Sequence, residues 1–367
     1  MRKKDISQLA IIGILILLVI LLLVTRDTVN KQPRNIILMI GDGMGVTQVT
    51  TGRIYRHPMH LERFGIMGLI TTYSKNRFKT DSAASGTAFA TGYKTDNGVI
   101  SMSPQGEVYP TIAERAKELG KSAGVVATTG ITHATPAVFI SHVKSRGMQD
   151  VIAEQIAEGS WDVLFGAGWG YFVPQSVEGS LRTDDKNPLD MLKSKMQVAL
   201  TPEEFNALRD RRAAAMLERT NYFPKASEGF EITLEIMTRK ALDILSNNNK
   251  GFFLMVEGSQ IDWGGHANDM EYIRDEMLAF DDAVGAVLDF AEEDKNTLVI
   301  VTADHETGGM AVLSGDFEEH ELVGYDFATK GHSAVMVPVF SFGPSAKLFG
   351  GMQDNTDIGK KMFQLWD

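Results

Sequence analysis

Residues 35–45 read NIILMIGDGMG, an unbroken apolar run over Ile36–Ile40 that stops at Gly41-Asp42-Gly43. A short run with no polar alternation has no solvent face, so it reads as a strand covered on both sides. The same punctuation recurs along the chain. Ala123–Ala127 leads into Thr128-Thr129-Gly130, Phe252–Val256 ends in Glu257, and Leu298–Val301 ends in Thr302-Ala303-Asp304-His305. Val335–Phe340 is a further run of this kind. Helical patterns lie between them: Thr111–Leu119, and Met270–Glu293 with Ile273, Met277, Phe280, Val284, Val287 and Leu288 at helical spacing. The alternation predicts an α/β fold with a mostly parallel central sheet sandwiched between helices. In such folds ligands bind outside the carboxyl ends of the strands. The acids and histidines that close these runs should therefore meet in space.

Residues 168–230 break the rhythm. They show no strong strand, and Glu203–Glu218 reads as a charged amphipathic helix, so the segment is expected to be a helical insertion or lid over the core.

Composition narrows the chemistry. With a net charge of −11, the chain is a poor partner for nucleic acid, whose phosphates need basic surface. A phosphate pocket survives that objection, because bound cations reverse the local field. There is no cysteine, which excludes disulfides, thiolate nucleophiles and Cys-held metal. Any metal must rest on His, Asp, Glu, Ser or Thr.

The N-terminus carries a separate message. Arg2, Lys3 and Lys4 precede an apolar run from Leu9 to Val24, and no small-x-small cleavage site follows. A basic flank before an apolar run is an export signal. Residues 1–29 are read as a membrane anchor or signal segment, retained rather than cleaved. The remainder, 30–367, would then lie on the periplasmic or extracellular side, with 25–34 as a short polar linker.

Several motifs carry chemistry. Asp262-x-x-x-His266 follows the Phe252–Val256 run and is read within a Gly-containing loop; Asp304-His305 tips another run; His332 follows Lys330-Gly331 just before the last strand. Oxygen and imidazole donors without thiolates suit Zn²⁺ or a harder divalent ion. By itself Asp42 reads as a helix cap as readily as a ligand. His57, His60, His142 and His320 read as ordinary surface or core residues. In TDSAASGTA (80–88) the small residues open a helix, and Ser82 would stand in the positive field at its N-terminus. Alone, that segment reads rather as tight helix packing capped by Asp81. Arg146 has the fork that grips phosphate oxygens, though alone it would pass for a surface arginine.

These segments together resemble the alkaline phosphatase family. The marks are NIILMIGDGMG (35–45), TDSAASGTAFATG (80–92), HATP with SR (133–136, 145–146), FFLMVEGSQIDWGGH (252–266), VIVTADHETGG (299–309) and GHS (331–333). They stand in the family's order and span the chain from about 35 onward. The resemblance implies hydrolysis of small-molecule phosphate monoesters through a phosphoserine at Ser82, with Arg146 clamping the phosphate. It implies that Asp262, His266 and His332 hold one zinc, and that Asp42, Asp304 and His305 hold a second beside Ser82. Asp42, Thr135 and Glu257 would surround a third ion, normally magnesium. Two ions about 4 Å apart can clamp the entering and leaving oxygens of an in-line displacement. Activity should rise toward alkaline pH, with net retention at phosphorus. A homodimer is also implied.

The sequence departs from the best-known family pattern at His133, where many bacterial members have Asp, and at Trp263, where they have Lys. His133 would ligate the third ion directly, which leaves Mg²⁺, Zn²⁺ or Co²⁺ open there. The short stretch between His305 and His332 has no room for a large capping domain. A phosphodiesterase or sulfatase on the same scaffold, or a non-catalytic metal or phosphate binder, are the competing readings. Ser82-Ala83-Ala84-Ser85-Gly86 lacks the Cys/Ser-x-Pro-x-Arg pattern of the sulfatases.

Overall fold

The structure is a computed structural model that describes residues 32–367. The anchor reading of 1–29, with its run at 9–24, lies outside the described residues. Among the described residues no helix is long and apolar enough to cross a membrane.

Among the described residues there are fourteen strands: β1 Asn35–Gly41, β2 Ile66–Thr71, β3 Ser122–Gly130, β4 Val163–Ala167, β5 Gln197–Ala199, β6 Ala213–Met216, β7 Phe252–Gly258, β8 Thr297–Thr302, β9 Glu306–Thr307, β10 Met310–Asp316, β11 Glu321–Phe327, β12 His332–Ser333, β13 Val337–Phe342 and β14 Gly351–Asp354. Ten of them form one sheet in the order β14-β2-β13-β8-β1-β7-β3-β4-β6-β5. Only β13 runs against its neighbours, β8 and β2. Every residue of β1, β3, β7 and β8 is buried. Both faces of these strands are therefore covered, which is why their sequences need no alternation.

The helices that matter to the site are α1 Val46–Tyr55, α2 Ser82–Thr91, α3 Ile112–Glu118, α4 Ala134–Ile140, α5 Gln149–Glu158, α6 Gln260–Ala267 and α7 Met270–Asp294. Thr111 closes a capping box with Glu114 at the start of α3, and Asp269 accepts from Tyr272 N at the start of α7, so both predicted helices begin where their caps dictate. All of α2 is buried. Its small residues permit close approach to α4: a Cβ at Gly86 would stand 2.9 Å from Val138 Cγ2.

Three expectations are corrected. Glu203–Glu218 is not a helix. Only Pro202–Asn206 is helical, and Ala213–Met216 is the buried strand β6, paired in parallel with β4 and β5. Segment 168–230 is thus not a purely helical insertion, because it extends the main sheet. Burial of the apolar AAAM run against β4 outweighs the helix propensity of Ala, Glu and Arg. Second, Asp262 and His266 lie on helix α6, not in a loop. Third, the strand after His332, β13, is not the last one, since β14 follows.

The register sets up the site. Ile40 stands beside Glu257 of β7 on one side and Thr302 of β8 on the other. Asp42, Glu257 and Asp304 therefore leave the sheet at one edge, the carboxyl end of three adjacent strands.

Candidate active site

Asp42 enters from the turn after β1. Gly43 has φ +76°, and a Cβ there would meet Asp262 Cα at 2.7 Å, so glycine lets the turn lie against α6. The Gly43 N–H donates to Asp304 Oδ1 at 3.2 Å. Ser82 is the first residue of α2, after Asp81, whose carboxylate accepts from Ala84 N at 3.0 Å. The Ser82 hydroxyl oxygen lies 3.4 Å from Asp42 Oδ2 and 3.3 Å from His305 Nε2. Predicted nucleophile and predicted ligands are thus in one place.

Two groups of ligand atoms form around His305. Those of Asp42, Asp304 and His305 lie within 4.8 Å of one another, as do those of Asp262, His305 and His332. His305 Nε2 is 3.4 Å from Asp42 Oδ1 and 3.2 Å from Asp304 Oδ2. Asp262 Oδ1 is 3.4 Å from His266 Nε2 and 3.6 Å from His332 Nε2. Strand β12 pairs His332 with Thr307 of β9, two residues past His305, and the two imidazoles stack at 3.5 Å. Backbone carbonyls orient the outer rings: His266 Nδ1 meets Lys330 O at 2.6 Å and His332 Nδ1 meets Thr80 O at 2.9 Å. With Nδ1 engaged as donor, Nε2 of each ring is left to bind a cation.

The residues fit divalent metal. Asp42 Oδ1, Asp304 Oδ2 and both oxygens of Glu257 are buried without a hydrogen-bond partner. Burial raises the Asp42 carboxyl well above the carboxylate range, and the charges of Asp304, Asp262 and Glu257 push the same way. Burial raises Asp304 too, and pushes Glu257 up to about 8. Burial, then the His332 charge, lowers His305 well below its usual value, so the ring is neutral as a ligand must be. Carboxylates this close and this buried ionise together only with positive charge among them, and oxygen and imidazole donors suit hard to borderline cations.

The other predicted residues lie close by. Thr135 Oγ1, on α4, is 3.4 Å from Asp42 Oδ2. Glu257 closes β7 beside β1. Arg146 Nη1 donates to Asp81 Oδ2 at 3.3 Å, and its Nη2 to His133 Nε2 at 3.2 Å. Burial and the Arg146 charge hold His133 down to about 3. The histidines set aside are engaged elsewhere: His57 with Glu62, and His142 with Glu114 and Ser101 O.

Sequence reading missed Thr307, whose hydroxyl donates to Asp262 Oδ1 at 2.5 Å and contacts His305 Nδ1 at 3.2 Å. Its position two residues past His305 on extended chain, hence on the same face, was the available signal. It also missed Asp81 as the partner of Arg146, and Tyr222, whose ring stacks on Trp263 at 6.4 Å.

Comparison with known proteins agrees with this geometry. The alkaline phosphatase family model matches residues 33–316. Alkaline phosphatase 3 of Bacillus subtilis is 32% identical over 91% of this chain and 89% of its own length. The alkaline phosphatase of the Antarctic bacterium TAB5 superposes with a TM-score of 0.83 at 38% identity, covering 92% of this chain and 98% of that one. A His-to-Glu variant of the TAB5 enzyme, at 37% identity and the same TM-score of 0.83 over 92% of this chain and 99% of that one, has Mg bound in its M3 site. The family match over most of the chain, with a buried serine among Asp and His ligand groups, means that this chain belongs to the alkaline phosphatase family.

Proposed function

We propose that this phosphomonoester hydrolase works through a phosphoserine at Ser82, in a site that holds two zinc ions and a third ion, normally Mg²⁺. The observation that carries the reading is the position of the Ser82 hydroxyl, 3.4 Å from Asp42 and 3.3 Å from His305 at the start of α2.

Asp262, His266 and His332 would hold one zinc, and Asp42, Asp304 and His305 the other. Asp42, Thr135 and Glu257, with His133 near, would hold the third ion. When bound, the ions lower the pKa of the nucleophile and neutralise charge on the entering and leaving oxygens. The chain's own residues supply the rest. The N-terminal field of α2 favours a negative Ser82 oxygen and the arriving phosphate. Arg146, aimed by Asp81, donates two N–H bonds to the phosphoryl oxygens and favours a dianionic monoester over a diester. Ser82 attacks in line and the alcohol departs opposite it; water then attacks the phosphoserine in line, and two inversions give net retention.

The export signal at Arg2–Lys4 and the run at 9–24 support an anchored protein facing the periplasm or the outside, and the family resemblance supports a homodimer. N-terminal sequencing of the exported protein tests the first and sedimentation the second.

The deciding experiment assays p-nitrophenyl phosphate from about pH 6 to 10, chelated and with Zn²⁺ and Mg²⁺ restored. Acid-quenched enzyme is then searched for phosphate on a Ser82 peptide. Metal-restored, alkaline-rising turnover with label on Ser82, absent in Ser82→Ala, is expected. Turnover that survives Ser82→Ala would sink the mechanism, and turnover of diesters or sulfate esters alone would favour the competing enzyme reading.

A further inference from the structure

Helix α6, which carries Asp262 and His266, also carries Trp263, and Tyr222 stacks on it. His266 keeps 42% of its side chain exposed, whereas Asp262 keeps 10%, so the site opens to solvent on the His266 side of α6. Trp263 lies three residues before His266 on the same helix, and residues three apart are surface neighbours. Tyr222, itself 41% exposed, stacks on Trp263 with the planes 19° apart. The two rings form a stacked aromatic pair on the side of α6 next to His266, each with one face left for a ligand.

The pair is held rigidly. Thr129 Oγ1 on β3 donates to Asn221 O at 2.8 Å, and Asn221 Nδ2 donates to Gln149 Oε1 at 3.0 Å. On the other side, Gln260 Nε2 at the start of α6 donates to Phe223 O at 2.7 Å and to Thr128 O at 3.2 Å. The Tyr222 hydroxyl meets both carboxylate oxygens of Glu228 at 2.7 and 2.8 Å. Burial and the Glu228 carboxylate push that phenol up to about 12, so the ring stays neutral at alkaline pH and does not repel a phosphate dianion. The two cations flanking Tyr222 in sequence are engaged elsewhere: Arg219 donates to Gly179 O, and Lys225 sits over the Tyr272 ring. A neutral, preorganised aromatic surface favours a flat ring by stacking, with little ordering cost.

We infer that Tyr222 and Trp263 form a leaving-group subsite that selects phosphate monoesters of alcohols bearing a planar ring, such as nucleoside 5′-monophosphates, over esters of small aliphatic alcohols. The inference rests on the phosphomonoesterase reading of the site. It concerns the alcohol, which the phosphate-binding residues leave unread.

The test compares adenosine 5′-monophosphate with ribose 5-phosphate, which share the phosphate and the primary alcohol and differ in the base. Wild-type, Tyr222→Phe, Tyr222→Leu and Trp263→Leu enzymes are measured with Zn²⁺ and Mg²⁺ present. Stacking of one base predicts a KM at least about fivefold lower for the nucleotide in wild type. Each leucine variant should erase that preference while the KM for ribose 5-phosphate stays within about twofold; Tyr222→Phe should keep it. Equal KM values in wild type, or a leucine variant that shifts both substrates alike, would overturn the subsite with the enzyme reading intact. Wild type that hydrolyses neither ester would overturn the phosphomonoesterase reading, and the subsite with it.

Discussion

The Ser82 hydroxyl lies 3.3 Å from His305 Nε2 across 223 residues of sequence. Both side chains are buried, one at the start of α2 and the other just past the carboxyl end of β8. That single contact joins Ser82 to both groups of candidate ligands, because His305 belongs to each of them.

Arg146 should govern phosphate binding. It is held on Asp81 and His133, with its fork at the N-terminal end of α2. A charge-assisted forked contact is worth roughly 1.5–3 kcal/mol, so Arg146→Ala should weaken inhibition by inorganic phosphate about 10- to 100-fold. Arg146→Lys should recover only part of this, since a point charge cannot reproduce the fork. Competitive inhibition constants measured across the variants check it.

His133 should set the preference of the third ion. A neutral imidazole suits zinc or cobalt, whereas a carboxylate suits magnesium. His133→Asp should shift activation toward lower Mg²⁺ concentrations, read from Mg²⁺ titrations of zinc-loaded enzyme and from bound metal counted by mass spectrometry. Unchanged Mg²⁺ dependence would remove His133 from that site.

Thr307 should tighten the metal site without touching substrate. Its hydroxyl bridges Asp262 and His305. Loss of such an orienting partner typically costs about 10- to 100-fold in metal affinity. Thr307→Val should show this against a competing chelator, while KM at saturating zinc changes little.

Glu276 should make stability depend on pH. It is buried on α7 and accepts from Ala226 N at 2.8 Å. Burial first, then the charges of Asp275 and Glu228, push it up to about 7, against the Ala226 hydrogen bond and Lys225. A carboxyl raised in the folded state binds its proton more tightly than in the unfolded chain. Its contribution is therefore lost as pH climbs from the ordinary value of 4.5 to about 7, and stays lost above. Glu276→Gln should flatten that stretch of the Tm–pH curve relative to wild type in matched buffers. At pH 8 it should raise Tm by about 1–2 °C for each kcal/mol recovered. Parallel curves would assign the slope to other groups.

Much of this was legible in the chain itself. Ile36–Ile40, Phe252–Val256 and Leu298–Val301 announce strands buried on both faces, because only such strands dispense with alternation. Their terminal acids mark the carboxyl edge of the sheet, and Ser82 reads as a helix start because Asp81 is a cap. Glu203–Glu218 misled, because local propensity says helix where pairing with β4 makes Ala213–Met216 a strand. Asp262 and His266 do stand side by side, 3.4 Å apart, but on a helix where Gly264 and Gly265 argue locally for a loop.

The sequence by itself determined the alternation of doubly buried strands with helices and the kinds of donor available, since burial pattern and ligand chemistry are properties of short segments. Only the tertiary structure decided that Thr307 binds Asp262 and that Asp81 aims Arg146. It alone set Tyr222 against Trp263. These contacts depend on strand register and on the segment around Asn221, whose carbonyl accepts from Thr129 of β3. Such long-range pairings are fixed by packing of the whole sheet and leave no local mark in the chain.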